Sequence, residues 1–173
     1  MKYKQVWILL EGDDDERFFE VIIKPALENK YDFVRAWQYA QEPRKRTRDF
    51  LKSIKAMNSD YLFLADINDL PCVTAKKQKI VKKYNNIIDV RTVIVVVKEI
   101  ESWYLAGLDD KSCKELKIRT IRRTDNITKE QFNKRIPQKF DSRIDFMVEI
   151  LKRFFVETAK KKNRSFAYFT KKI

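Results

Sequence analysis

Thr92-Val93-Ile94-Val95-Val96-Val97 runs straight into Lys98-Glu99-Ile100-Glu101-Ser102-Trp103-Tyr104-Leu105-Ala106. Five consecutive β-branched aliphatics are stiff at χ1 and suit a pleated strand. No polar residue alternates with them, so the strand is expected to be covered on both faces, as in a parallel sheet between helices. Upstream, Asp60–Ala65 has the same character and ends in Asp66-Ile67-Asn68-Asp69. Pro71 suits the first turn of a helix carrying Ile80 and Val81. Asp32–Tyr39 reads as a further strand, and Pro43 introduces a helix over Arg44–Met57. Lys4–Leu10 is the first strand, broken by Glu11-Gly12. Asp13-Asp14-Asp15 then opens a helix with Phe18, Phe19, Ile22, Ile23 and Leu27 at helical spacing. This β-α-β-α-β-α-β-α order predicts an α/β fold with a mostly parallel four-stranded sheet flanked by helices.

Composition narrows the chemistry. The 173 residues suit one domain with an ordinary core. Lys plus Arg number 38 against 25 Asp plus Glu, a net charge of +13, which favours an anionic partner and above all nucleic acid. The chain has no histidine, which removes histidine general bases, Ser–His–Asp triads and His-ligated metals. Its two glycines, Gly12 and Gly107, cannot build a P-loop or a dinucleotide-binding turn. Two cysteines are too few for a disulfide framework. Cys72 and Cys113 are expected to be reduced, Cys72 as a buried structural residue. The apolar run at the N-terminus is too short for a signal peptide, and no stretch is long enough to span a membrane. A cytoplasmic location and no membrane partner are expected.

The remaining chemistry belongs to carboxylates, and these gather after strands. Glu11 follows the first strand, with Asp15 four residues on; Asp66 and Asp69 follow the third; Glu99 and Glu101 follow the fourth. Ligands of open parallel sheets bind at the carboxyl ends of the strands. Carboxylates converging there would repel unless a cation neutralised them, and Mg²⁺, or Mn²⁺ in its place, suits a few carboxylates plus water. Each cluster also has a plainer reading. Asp13–Asp15 can complement a helix start. Asp66 and Asp69 can be turn residues, and Glu99 a surface ion-pair member.

Strand–Glu11-Gly12–helix followed by strand–Asp66-Ile67-Asn68 resembles the Toprim domain. That domain is shared by type IA and type II topoisomerases, bacterial primases, small ribosomal-RNA maturases and OLD-family nucleases. Glu11-x-x-x-Asp15 and Glu99-Ile100-Glu101-Ser102-Trp103-Tyr104-Leu105 look more like the OLD nucleases and a set of short prokaryotic Toprim-like proteins. The resemblance spans residues 4–108. It implies a Rossmann-like, Toprim-like core over 1–108. A basic helical extension over 109–173 would pack on it within a single domain. It also implies a nuclease-like, Mg²⁺-assisted phosphodiester reaction, for instance in defence against phage or plasmids. Asp66 would be a metal ligand, helped by Asn68 or Asp69. Asn68 stands where the family pattern has a second aspartate. Glu11 would be a ligand or general base, and Asp15, Glu99 and Glu101 would hold a second ion. Lys98 would stabilise charge on the phosphate. The ATPase that accompanies OLD-type Toprim domains has no counterpart here, so an ATPase partner chain is expected, as is a homodimer.

Basic blocks would frame such a site. Arg44, Arg46, Arg48, Lys76, Lys77, Arg122 and Arg123 are the expected nucleic-acid contacts, whether to DNA or RNA. Residues Ser142–Lys162 read as one amphipathic helix with Ile144, Val148, Leu151 and Phe155 on its stripe. The tail aromatics Phe166, Tyr168 and Phe169 can stack on bases or pack in the core. Two further readings stay open: a Toprim-shaped module that binds nucleic acid without cleaving it, and a subunit whose basic face docks on an acidic protein.

Overall fold

A computed structural model describes residues 3–173. The strands are β1 (Gln5–Leu10), β2 (Phe33–Gln38), β3 (Asp60–Asp66) and β4 (Val93–Val96), ordered β2-β1-β3-β4 in one parallel sheet. The α/β alternation expected from the sequence is therefore present. Central strand β1 pairs with both neighbours, and its register sets Leu9 opposite Trp37 of β2 and Phe63 of β3.

Between β1 and β2 the chain is helical throughout, as α1 (Asp13–Phe18), a π-helical stretch Phe19–Ile23, and α2 (Lys24–Leu27). Next come α3 (Arg44–Ala56) and α4 (Val73–Lys83). Period-two alternation sends Leu9, Tyr61, Phe63, Ala65, Val93 and Val95 into one core cluster with Leu51 and Ile54 of α3 and Ile80 of α4. The intervening Ile8, Leu10, Leu64 and Ile94 are also buried, so β1, β3 and β4 are covered on both faces. Trp37 stacks on Phe50 at 3.9 Å, which anchors α3 to edge strand β2.

Helix α4 begins later than Pro71 suggests. Cys72 is its N-cap, with Sγ accepting from the Ala75 N–H at 3.4 Å. That role places Cys72 on the surface and corrects the expectation of burial; Cys113 is buried.

The chain forms two compact units that divide between Val95 and Val96. The C-terminal unit holds α5 (Glu101–Ala106), α6 (Asp110–Leu116), α7 (Lys129–Asn133), α8 (Arg143–Leu151), α9 (Val156–Lys162) and α10 (Arg164–Thr170). Trp103, Tyr104 and Leu105 are fully buried in its core.

The single helix expected over 142–162 is broken into α8 and α9. The expected stripe is also on the wrong side. Ile144, Val148 and Phe155 are exposed, while Phe146, Met147, Ile150 and Leu151 are buried. The break lets the Phe155 N–H donate to the Gly107 carbonyl at 2.9 Å and brings the Phe154 ring against Gly107. A Cβ on Gly107 would lie 2.1 Å from that ring, so glycine is needed here for space. Phe166 and Phe169 pack into the core beside Trp103, and Tyr168 is exposed.

Candidate functional site

The register of β1 with β3 carries Glu11 level with the end of β3, and there Glu11 meets Asp66. The Asp66 N–H donates to Glu11 Oε1 at 3.2 Å. The Tyr39 hydroxyl, just beyond β2, lies 3.1 Å from the same oxygen and 2.9 Å from the Leu64 carbonyl. Its one proton serves two acceptors, so Tyr39 ties the ends of β1, β2 and β3 together. Burial, and then the neighbouring Glu11 carboxylate, push the Tyr39 phenol well above its ordinary range, so it stays neutral. Asp15 is buried in α1 and contributes to the negative potential at Tyr39. Asp66 Oδ1 is closed off from solvent. Asn68 and Asp69 are exposed in the turn after β3, and Asn68 takes the left-handed conformation at φ 53°. Asn tolerates that region better than most residues.

A cavity of about 300 Å³ opens beside this pair, lined by Glu11, Tyr39, Asn68, Tyr84 and the lysines Lys76, Lys79 and Lys83 of α4. Lys76 is only 9% exposed. Burial lowers its pKa, and the charges of Glu11 and Asp66 oppose that shift. The spacing of the three lysines along α4 puts them on one helical face. The sequence singled out Lys76 but not Lys79 or Lys83, and it gave Tyr39 no role. The one available signal for Tyr39 was its place at the end of the expected strand Asp32–Tyr39.

Glu99 and Glu101 belong to the C-terminal unit, where each has a partner. Glu101 is buried and ion-paired with Arg143. Arg143 also donates to Asn133 Oδ1 at 3.0 Å and lies over the Phe132 ring. Glu99 accepts a hydrogen bond from the Lys129 N–H at the start of α7. Lys98 is exposed with φ 65°, an uncommon conformation for a side chain without a local hydrogen-bonding group. Among the described residues, no three Asp, Glu or Cys side chains stand together as a group able to hold a metal ion. The same unit contains a buried polar network that the sequence did not reveal. Ser165 Oγ accepts from Trp103 Nε1 at 2.8 Å and donates to Asn163 Oδ1 at 2.8 Å, and Asn163 Nδ2 reaches Thr124 Oγ1 at 3.1 Å.

The expected nucleic-acid contacts divide into engaged and open cations. Arg44 donates to Asn85 Oδ1, and Arg46 pairs with Glu42 at 2.9 Å. Arg48 lies 3.9 Å from Asp49, and Arg123 pairs with Asp125 at 2.6 Å. Lys77 is on α4 but does not line the cavity. Arg122 is exposed and lines a cleft of about 610 Å³ with Lys117, Arg119, Lys134 and Arg135, with no carboxylate in the lining.

No family model and no curated protein matches this chain. Among solved structures, the C-terminal region of the Burkholderia pseudomallei OLD protein is similar at a TM-score of 0.37 and 14% identity, covering 98% of this chain and 89% of that one. No helix among the described residues is long and apolar enough to cross a membrane.

Proposed function

We propose that this protein carries out Mg²⁺-assisted phosphodiester chemistry on nucleic acid, in the manner of a Toprim nuclease, with Glu11 and Asp66 at its centre. The observation that carries this reading is the Asp66 N–H to Glu11 Oε1 hydrogen bond, which brings two carboxylate residues together at the carboxyl ends of adjacent parallel strands. The donor set suits Mg²⁺, which needs one or two carboxylates and completes its shell with water and substrate phosphate. Glu11 and Asp66 would hold the ion, with the Asn68 carbonyl or Asp69 beside them. When bound, such an ion polarises a phosphate oxygen and lowers the pKa of a coordinated water. Tyr39 orients Glu11. Glu101 is left to its ion pair with Arg143, so the reading needs one ion.

The motif resemblance to Toprim proteins supports the same chemistry, and the net charge of +13 suits a polyanionic substrate. The test is cleavage of plasmid DNA and of a structured RNA with Mg²⁺, with Mn²⁺ and with EDTA. Metal-dependent cleavage that Asp66→Asn abolishes is the expected result. Cleavage that persists in EDTA overturns the reading. Salt-dependent binding with no cleavage favours a second reading, a non-catalytic binding module. Asn68 in place of a second aspartate is the observation in its favour.

A further inference from the structure

Lys76, Lys79 and Lys83 share a small cavity with Glu11, and among the described residues none of the three side chains has a hydrogen bond or ion pair. Elsewhere on the surface, the long basic side chains are commonly answered. Lys24 pairs with Glu20, Lys152 with Glu149 and Lys160 with Glu157. On α4 no acidic residue lies between Val73 and Lys83. Lys83 instead rests over the Tyr84 ring at 5.5 Å, which holds it at the cavity wall. Lys76 is only 9% exposed and lines the cavity. Three lysines against one lining carboxylate leave the cavity cationic. Its polar Tyr39 and Asn68 and its apolar Phe63 and Ile80 give it a built lining rather than an open surface. About 300 Å³ is at the small end of ligand sites, too small for a duplex and large enough for a phosphate group with part of its sugar.

We propose that this cavity is a phosphate-binding subsite in which Lys76, Lys79 and Lys83 hold a phosphate ester beside the Glu11–Asp66 pair. The occupant is either a terminal phosphate of a strand or an internal diester; both present the same anionic oxygens. The inference rests on the reading of the site as one for phosphodiesters and adds to it where the substrate is gripped. Because ammonium groups make the contact, binding needs no metal.

The test is calorimetric titration of the full chain in EDTA with inorganic phosphate, and then with a short oligonucleotide carrying or lacking a terminal phosphate. Lys79 and Lys83 are exposed, so Lys79→Ala/Lys83→Ala should fold, and thermal melting checks that it does. Lys45→Ala/Lys82→Ala removes the same charge from exposed positions away from the cavity. Loss of about tenfold in affinity per cavity lysine, with the control pair within about twofold of wild type, is the expected result. Glu11→Gln should tighten phosphate binding while weakening metal binding. Preference for the phosphorylated oligonucleotide identifies a terminal phosphate, and equal binding identifies an internal one; both support the subsite. Equal losses in the two lysine pairs reduce the effect to overall charge and overturn the proposal. So does phosphate binding that appears only with Mg²⁺, or none in the wild-type chain. Metal-independent phosphate binding without any cleavage would sink the nuclease reading and leave this one standing.

Discussion

Replacing Arg143 by Leu separates structural carboxylates from chemical ones. Glu101 is buried, with its side chain 4% exposed, and its charge is answered by the Arg143 guanidinium. Removing one partner of such a pair leaves an uncompensated buried charge, at a cost of about 3 to 5 kcal/mol. Arg143 also covers the Phe132 ring and reaches Asn133, so the upper part of that range applies. In a chain of this size about 4 to 5 kcal/mol corresponds to a fall of roughly 8 to 20 °C in Tm. Replacing both residues, Glu101→Leu with Arg143→Leu, removes the stranded charge and should recover most of the loss, because apolar isosteres of buried pairs are often neutral. The assay is thermal and urea unfolding of the two single variants and the double variant, run with and without Mg²⁺. A double variant as unstable as Arg143→Leu would refute the ion-pair account. So would full rescue of Arg143→Leu by Mg²⁺, which would make Glu101 a cation ligand instead.

Three other outcomes follow from single features. Gly107→Ala drives a methyl into the Phe154 ring 2.1 Å away and should cost about 1 to 3 kcal/mol in urea unfolding, whereas a Gly12→Ala control, half-buried but with nothing within 4 Å of the added methyl, should cost far less. Hydrogen bonds from the Arg91 side chain and N–H hold the Asp89 carboxyl down at about 2, below its ordinary 3.8. The folded pKa is the lower one, so the contribution is present above 3.8 and is lost as pH falls through 2. An NMR titration should show that midpoint, and Arg91→Ala should return it toward 3.8. Arg119→Ala/Arg122→Ala/Lys134→Ala empties much of the basic cleft of the C-terminal unit. It should weaken DNA or RNA binding and reduce the salt slope by up to about 3, with an unchanged slope contradicting a role for that cleft.

The sheet was legible because its signals are local. Val93–Val96 and Tyr61–Ala65 are apolar runs that commit a strand within their own length, and Glu11 and Asp66 follow from where those runs stop. What the sequence hid depends on distant partners. Residues 142–162 support two apolar stripes between which local periodicity does not choose, and the Phe154 contact with Gly107 lies far outside any helical window. Glu101 looked like a member of an acidic cluster because its counter-ion, Arg143, is 42 residues away. Tyr39 carries no motif, and its role exists only once β1 and β3 bring Glu11 and Leu64 to it. Cys72 has the composition of a core residue, and only the start of α4 makes it a cap.

Direct binding of Mn²⁺, followed by electron paramagnetic resonance on the wild-type chain and on Glu11→Gln and Asp66→Asn, bears hardest on the account. One ion that each of the two substitutions releases, and that Glu101→Gln leaves in place, is the predicted result. An ion that neither Glu11→Gln nor Asp66→Asn disturbs, or no bound ion at all, would contradict it.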